Sequence, residues 1–243
     1  MSTSYPTPLY SHAGRGDFQE VYEPAEDSFL LIDALEKDAD RLQRMSPCVC
    51  LEVGSGSGVV SAFLASVVGP SALYICTDVN PAAAQCTAET ASCNRVSLQP
   101  VITDLADSLL PQLCGKVDIL LFNPPYVVTP SEEVLSKVNE VQAWCINPHS
   151  YSVGFIFQVG STGIEAAWAG GERGREVTDR FLPAVVQLLS DKGLFYLITI
   201  AENDPEEIIH LLGQSGLKGE SYLSTRARNE RLSVLRFHRN QQT

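Results

Sequence analysis

Cys48-Val49-Cys50-Leu51-Glu52-Val53-Gly54-Ser55-Gly56-Ser57-Gly58 decides the fold. Its first six residues are an apolar run of strand length, and three alternating glycines then turn the chain into a helical pattern over 58–68. Working outward, Leu73 to Asp78, Leu98 to Thr103 and Val117 to Phe122 repeat the short apolar run. A second helical pattern spans 81–93, opened by Asn80 as a cap and by Pro81 at its first position. Strand, helix, strand at this spacing predicts a parallel sheet with right-handed crossovers.

Upstream, Tyr22 to Met45 reads as a loop followed by one helix, with Phe29, Leu30, Ile32, Ala34 and Leu35 at roughly helical spacing. The polar residues 1–20 read as a flexible arm. Downstream come a helix over 174–190, a fifth strand from Leu194 to Ile200, a helix over 205–214, and two short strands at 220–224 and 232–237. The polar, basic link Thr225 to Arg231 makes that last pair a hairpin. The expected architecture is therefore α/β, one domain over 1–243, with a mostly parallel seven-stranded sheet, helices on both faces and a C-terminal antiparallel hairpin. One segment breaks the rhythm: residues 135–159 form an atypical insertion between strand four and the next helix, too long for an ordinary connection.

Composition bounds the chemistry. A formal charge of −12 argues against holding long nucleic acid, which needs clustered Lys and Arg to neutralise phosphates. The seven cysteines include no C-x-x-C pair and lie mostly in apolar runs, so they read as reduced core residues, and no metal site is expected. The start lacks the basic and apolar regions of a secretory signal, and no apolar run reaches membrane-spanning length. A cytosolic protein with nuclear access is the expectation.

Gly54, Gly56 and Gly58 alternate, which is not the spacing of a dinucleotide loop, and Glu52 puts a carboxylate where a diphosphate would be repelled. A cationic nucleoside fits better, and S-adenosylmethionine carries a sulfonium and an ammonium but no phosphate. Asp78 ends strand two, placed for ribose hydroxyls, and Asp104 ends strand three, placed for an adenine amino group with Leu105 against the ring. Each acid alone is equally a solvated strand-end residue; three at successive strand ends beside the glycine loop favour a nucleoside pocket.

Asn123-Pro124-Pro125-Tyr126 follows strand four. Two prolines fix φ and remove two backbone donors, leaving carbonyl acceptors in a rigid turn. If the Asn123 side-chain oxygen and the Pro124 carbonyl each accept one hydrogen of an NH2 group, the nitrogen lone pair turns toward a methyl donor. Tyr126 is expected to cover the substrate's flat face.

These motifs resemble the HemK-like glutamine methyltransferases of class I release factors, most closely their eukaryotic and archaeal branch. The likeness runs through Val21-Tyr22-Glu23-Pro24-Ala25-Glu26-Asp27-Ser28, the glycine loop, Asp78, Asp104-Leu105, Phe122 to Thr129, and resumes at Gly163-Ile164-Glu165-Ala166-Ala167-Trp168-Ala169-Gly170-Gly171 and Gly174-Arg175-Glu176. The resemblance implies a Rossmann-like class I methyltransferase domain. It implies S-adenosylmethionine contacts from Ser28, Glu52, Gly54, Gly56, Gly58, Asp78, Asp104, Leu105 and Asn123. It further implies a catalytic Asn123-Pro124-Pro125-Tyr126 and methyl transfer to the side-chain amide of the glutamine in a Gly-Gly-Gln motif.

The eukaryotic branch also implies a small zinc-binding activator subunit, with histone lysine as a further substrate. The third strand, 98–103, is expected at a sheet edge because Pro100 is tolerable only there, and an exposed edge invites a partner or a covering loop. Three other readings stay open at this level: a protein-lysine methyltransferase with the same partner, an adenine-N6 methyltransferase, and an inactive isoform whose 135–159 insertion blocks the pocket.

Overall fold

The computed structural model describes residues 5–129, 167–227 and 230–239. The 135–159 insertion and residues 163–166 lie outside them. Seven strands form one sheet in the order β3-β2-β1-β4-β5-β7-β6: β1 Val49–Val53, β2 Leu73–Asp78, β3 Gln99–Ile102, β4 Val117–Phe122, β5 Leu189–Ile200, β6 Leu217–Ala227 and β7 Glu230–Arg239. The first five are parallel, and β7 runs antiparallel to both β5 and β6. This is the class I methyltransferase arrangement expected, with Pro100 on the edge strand opposite Cys76 of β2.

Alternation along the strands divides the core into two layers. Ile119 and Leu121 of β4, with Tyr196 and Ile198 of β5, face one layer. Leu120 and Phe122, with Phe195 and Leu197, face the other. Helices α1 (Glu26–Lys37), α2 (Ala39–Met45), α3 (Val59–Val68) and α4 (Pro81–Asn94) cover the first layer. Helices α5 (Leu110–Leu113), α6 (Glu176–Leu188) and α7 (Pro205–Gln214) cover the second. β4 is buried at every position, as a central parallel strand must be.

The single helix expected before β1 is two. Asp38 separates α1 from α2, and its carboxylate accepts from Tyr196 Oη at 2.5 Å, Tyr222 Oη at 2.8 Å and Arg236 Nη1. The pull of three donors on the sheet outweighs helix continuity. The hairpin is also longer than its apolar core suggested, because polar residues extend the ladder at both ends, Lys218 opposite His238 and Arg226 opposite Arg231; within it Arg236 and Tyr222 stack, guanidinium on ring at 3.7 Å. β5 likewise starts five residues early, at Leu189 opposite Val117. The N-terminal segment, read from sequence as a flexible arm, lies against α3 and α4 from Tyr5 onward: Tyr5 packs edge-on to Phe63, and Leu9 exchanges two hydrogen bonds with Asn94.

Burial raises the Asp38 carboxyl pKa, but the bonds from Arg236, Tyr196 and Tyr222 reverse this and hold it below the usual range. Its contribution to stability is thus present above about pH 4 and lost as the pH falls through the lowered value. Asp38→Ala leaves Arg236 short of its buried partner, and should cost about 3–5 kcal/mol. For a domain of this size that corresponds to a melting temperature lower by roughly 6–20 °C in calorimetry at neutral pH.

Candidate active site

β1 and β4 are neighbours, so the loops leaving their carboxyl ends share one space. Gly54 and Gly58 adopt φ of 66° and 73°, which a side chain would strain. A Cβ on Gly58 would also meet Thr87 at 2.9 Å, so this glycine seats α3 against α4. Gly56 faces open space, with nothing within 4 Å of where its Cβ would stand, and its N–H donates to Asp78 Oδ2 at 2.9 Å. The loop leaves room for a ligand on the side where β1 ends.

Glu52 lies within β1 rather than in the loop, and is almost wholly buried. Its Oε2 accepts from the Ser61 N–H at 3.1 Å and from the Ser61 hydroxyl, capping the first turn of α3 from the strand. Burial nevertheless pushes its carboxyl up to about 7, against the lowering effect of Ser61. Asp78 is held by the N–H groups of Asn80 and Gly56, yet burial still raises its pKa. Both acids are held with little surrounding positive charge, a setting in which a cationic ligand would lower both carboxyl pKa values.

Asp104 is not turned inward. It forms a two-point pair with Arg180 at 2.7 and 2.9 Å, with both side chains about half exposed. Two carboxylate lone pairs remain for another donor. Leu105 beside it has φ of 49°, unusual for a residue with a side chain, and packs against the second core layer.

The N-P-P-Y segment is organised by a residue to which the sequence reading gave no role. Asp27, buried in the first turn of α1, accepts from Asn123 Nδ2 at 2.9 Å, Tyr126 Oη at 3.2 Å, Tyr22 Oη at 3.2 Å and the Ser28 N–H at 2.7 Å. Burial first, then the adjacent Asp27 charge, raises the pKa of Tyr22 and Tyr126, so both remain protonated donors. With Nδ2 committed to Asp27, the Asn123 amide can point only its oxygen elsewhere. That Oδ1 is buried and has no hydrogen-bond partner among the described residues. An unmatched buried acceptor costs about 1–3 kcal/mol and is retained where a ligand supplies the donor.

The backbone behind the tetrapeptide is clamped from the other side. Val127 and Ala169 form a parallel bridge, and Gly170 donates to Val127 O at 2.8 Å. Asn203 Nδ2 reaches Tyr126 O at 2.9 Å and Gly174 O at 3.2 Å, and a Cβ on Gly174 would stand 2.0 Å from Tyr126 O. Arg175, almost fully buried, ties this loop to Asp179 and to Glu207 of α7.

The structure thus brings Ser28, Asn123 and Tyr126 together through Asp27, and Gly56 together with Asp78. It turns one oxygen of Glu52 into a helix cap and points Asp104 at Arg180. Asp27 was missed because a carboxylate in a first helical turn already has a sufficient explanation in the helix dipole. Asn203 follows β5 in a run with no recognisable motif, so no sequence signal marked it.

Because the folded Glu52 binds its proton up to about pH 7 while the unfolded residue releases it near pH 4.3, stability falls as pH rises between those values. Glu52→Gln keeps an acceptor for Ser61 and removes this cost. Denaturant titrations should show the variant more stable by up to about 3 kcal/mol at pH 8, with the gain vanishing near pH 4.

A family model described as "Methyltransferase small domain" matches residues 26–141. The mouse protein "Methyltransferase HEMK2" is 59% identical over 234 residues, covering 96% of this chain and 97% of that protein. The "eRF1 methyltransferase catalytic subunit mtq2" of Schizosaccharomyces pombe is 35% identical, covering 96% and 95% of the two chains. Among solved structures, the E. cuniculi Mtq2-Trm112 complex, described as responsible for methylation of the eRF1 translation termination factor, superposes with a TM-score of 0.59. It is 25% identical and covers 91% of this chain and 99% of that one.

Proposed function

The chain belongs to the eukaryotic and archaeal branch of the HemK-like methyltransferases and is an S-adenosylmethionine-dependent enzyme; on that premise we propose that it methylates the side-chain amide nitrogen of the glutamine in a Gly-Gly-Gln motif of a translation termination factor. The observation that carries this reading is the buried, unpartnered Asn123 Oδ1. The nearest carboxylate, Asp27, is already taken by Tyr22, Ser28, Asn123 and Tyr126, so the group offered to the substrate is a neutral oxygen. A neutral amide NH2 matches that acceptor better than an ammonium, which would be desolvated without a free counter-charge.

The residues present fit the cofactor. Gly56 leaves open space beside the loop, Asp78 at the end of β2 would take the ribose, and Asp104, with two lone pairs left by its bond to Arg180, and Leu105 would take the base. Glu52 and Ser28 complete the set on the α1 and α3 side. When bound, S-adenosylmethionine supplies an electrophilic methyl group. The chain's own contribution is orientation. Asp27 fixes the Asn123 amide, Asn123 Oδ1 accepts one substrate hydrogen, and the Pro124 carbonyl takes the other, so the nitrogen lone pair turns toward the donor. Alignment of this kind can lower a barrier by about 7–11 kcal/mol. The tyrosines hold Asp27, and Tyr126 walls the substrate side.

The edge strand β3 supports the expectation of a small zinc-binding activator as partner. Ile102 at its end is 49% exposed, and the E. cuniculi relative is described as a complex with Trm112. Ladder bonds from a partner strand would complete the edge. Nucleic acid as substrate is disfavoured by the charge of −12. This reading implies a cytosolic site of action, where termination factors work.

The test is mass spectrometry of a termination-factor fragment after incubation with this chain, its activator and the methyl donor. The added methyl is expected on the Gly-Gly-Gln glutamine; methylation confined to lysines of a basic tail would sink the assignment. Asn123→Ala should abolish transfer while leaving cofactor affinity within a few-fold. Asp27→Asn, which frees Asn123 to rotate, should lower kcat about a hundredfold at nearly unchanged KM for the cofactor. A loss of cofactor binding instead would move Asp27 from substrate positioning to the cofactor pocket.

A further inference from the structure

At the amino-terminal pole of the sheet, a cleft of about 550 Å³ is lined by Arg41, Arg44, Met45, Asp191, Lys192, His238 and Arg239. Arg41 and Arg44 come from α2, Lys192 from the start of β5, and His238 and Arg239 from the end of β7. Four of the chain's 17 Lys and Arg residues therefore converge on one concavity of a protein whose net charge is −12. The cleft precedes β1, whereas the glycine loop follows it, so a strand length of roughly 17 Å separates the cleft from the candidate active site.

Part of this cluster is explained by local structure. Lys192 Nζ donates to the carbonyls of Met45 and Ser46, each at 3.1 Å, at the end of α2, and lies 3.6 Å from Asp118. Arg239 donates to the Val186 and Leu189 carbonyls at 2.7 and 2.9 Å, at the end of α6. Carbonyl bonds hold Arg239 in place but leave its unit charge uncompensated, whereas Lys192 shares its charge with Asp118. Arg44 donates only to its own helix, at Asp40 O. Among the described residues no carboxylate lies within ion-pair distance of Arg41, Arg44 or Arg239, and Asp191 is the one acid in the lining. Three cations left without a carboxylate on one concavity are unfavourable by themselves and are relieved by an anion.

We propose that this cleft is a binding site for a small phosphate-bearing ligand, separate from the methyl-transfer site. The volume lies in the range of small-ligand pockets, about 300–1,000 Å³. The cations approach from three elements rather than as one fork. A planar carboxylate is satisfied by a single guanidinium, while a tetrahedral phosphate chain accepts donors from several directions. The site does not depend on which amide or amine the enzyme methylates.

Isothermal titration calorimetry of the full chain with inorganic triphosphate is the test, repeated with a nucleoside triphosphate to separate recognition of the phosphates alone from that of a whole nucleotide. Saturable one-site binding is expected, weakened about tenfold to a hundredfold by Arg41→Ala with Arg44→Ala. The same variant should keep methyl-transfer activity. Arg226→Ala with Arg231→Ala, an equal charge loss on the β6–β7 hairpin, should leave the affinity unchanged. Absence of binding, equal loss in the hairpin variant, or equal binding of citrate would overturn the proposal.

Discussion

The side-by-side pairing of β1 and β4 is the constraint on which the rest of the molecule depends. Two parallel strands at the centre of the sheet, each paired on both sides and covered on both faces, fix where their carboxyl ends emerge. The glycine loop and the N-P-P-Y segment are then neighbours whatever their own flexibility. Register matters as much as adjacency. Val53 lies opposite Phe122, so the two loops begin at the same height. A slip of one residue would exchange the two core layers on β4, with Leu120 and Phe122 taking the places of Ile119 and Leu121.

On this frame the site is built by opposed fixings. Asp27 draws the side chains of Asn123 and Tyr126 toward α1, while Asn203 and the backbone of Gly170 to Gly174 hold the main chain of the same segment from the other side. Neither fixing alone sets the direction of the Asn123 oxygen. The buried Arg175 serves the second of them at a distance, by keeping the Gly170 to Gly174 loop docked on α7. Glu52 and Asp78 are different in kind: they sit in the sheet or at its end and are kept short of positive charge, and burial raises the pKa of both carboxyls.

The fold was readable because its signals are local and repeated. Apolar runs of strand length alternate with capped helices, and Asn80 does cap α4, accepting from the Ala82 N–H at 2.9 Å. Pro100 correctly marked the edge. What was not readable depends on contacts distant in sequence. The break between α1 and α2 is set by Tyr196, Tyr222 and Arg236, more than 150 residues away. The ends of β5, β6 and β7 are carried by polar side chains whose apolar stems do the packing, and a pattern of apolar residues understates such strands. In the site, the residue types at the strand ends could be found one by one, but the role of Asp27 exists only once α1 is laid across the end of β4.

The bridge between Val127 and Ala169 bears on how much variation this protein can carry. The chain leaves the site at Thr129 and is back in register at Gly171, with Thr129 N bonded to Gly171 O at 2.9 Å. Both feet of the intervening stretch are thus pinned beside each other by main-chain bonds. The entropy of closing a flexible stretch between fixed ends grows only logarithmically, about 0.6 kcal/mol for each doubling of its length. The feet act as a socket: segments of different length can be exchanged between them at small thermodynamic cost, while the reactive tetrapeptide keeps its place. Length can thus vary between these feet without moving the N-P-P-Y segment that precedes them.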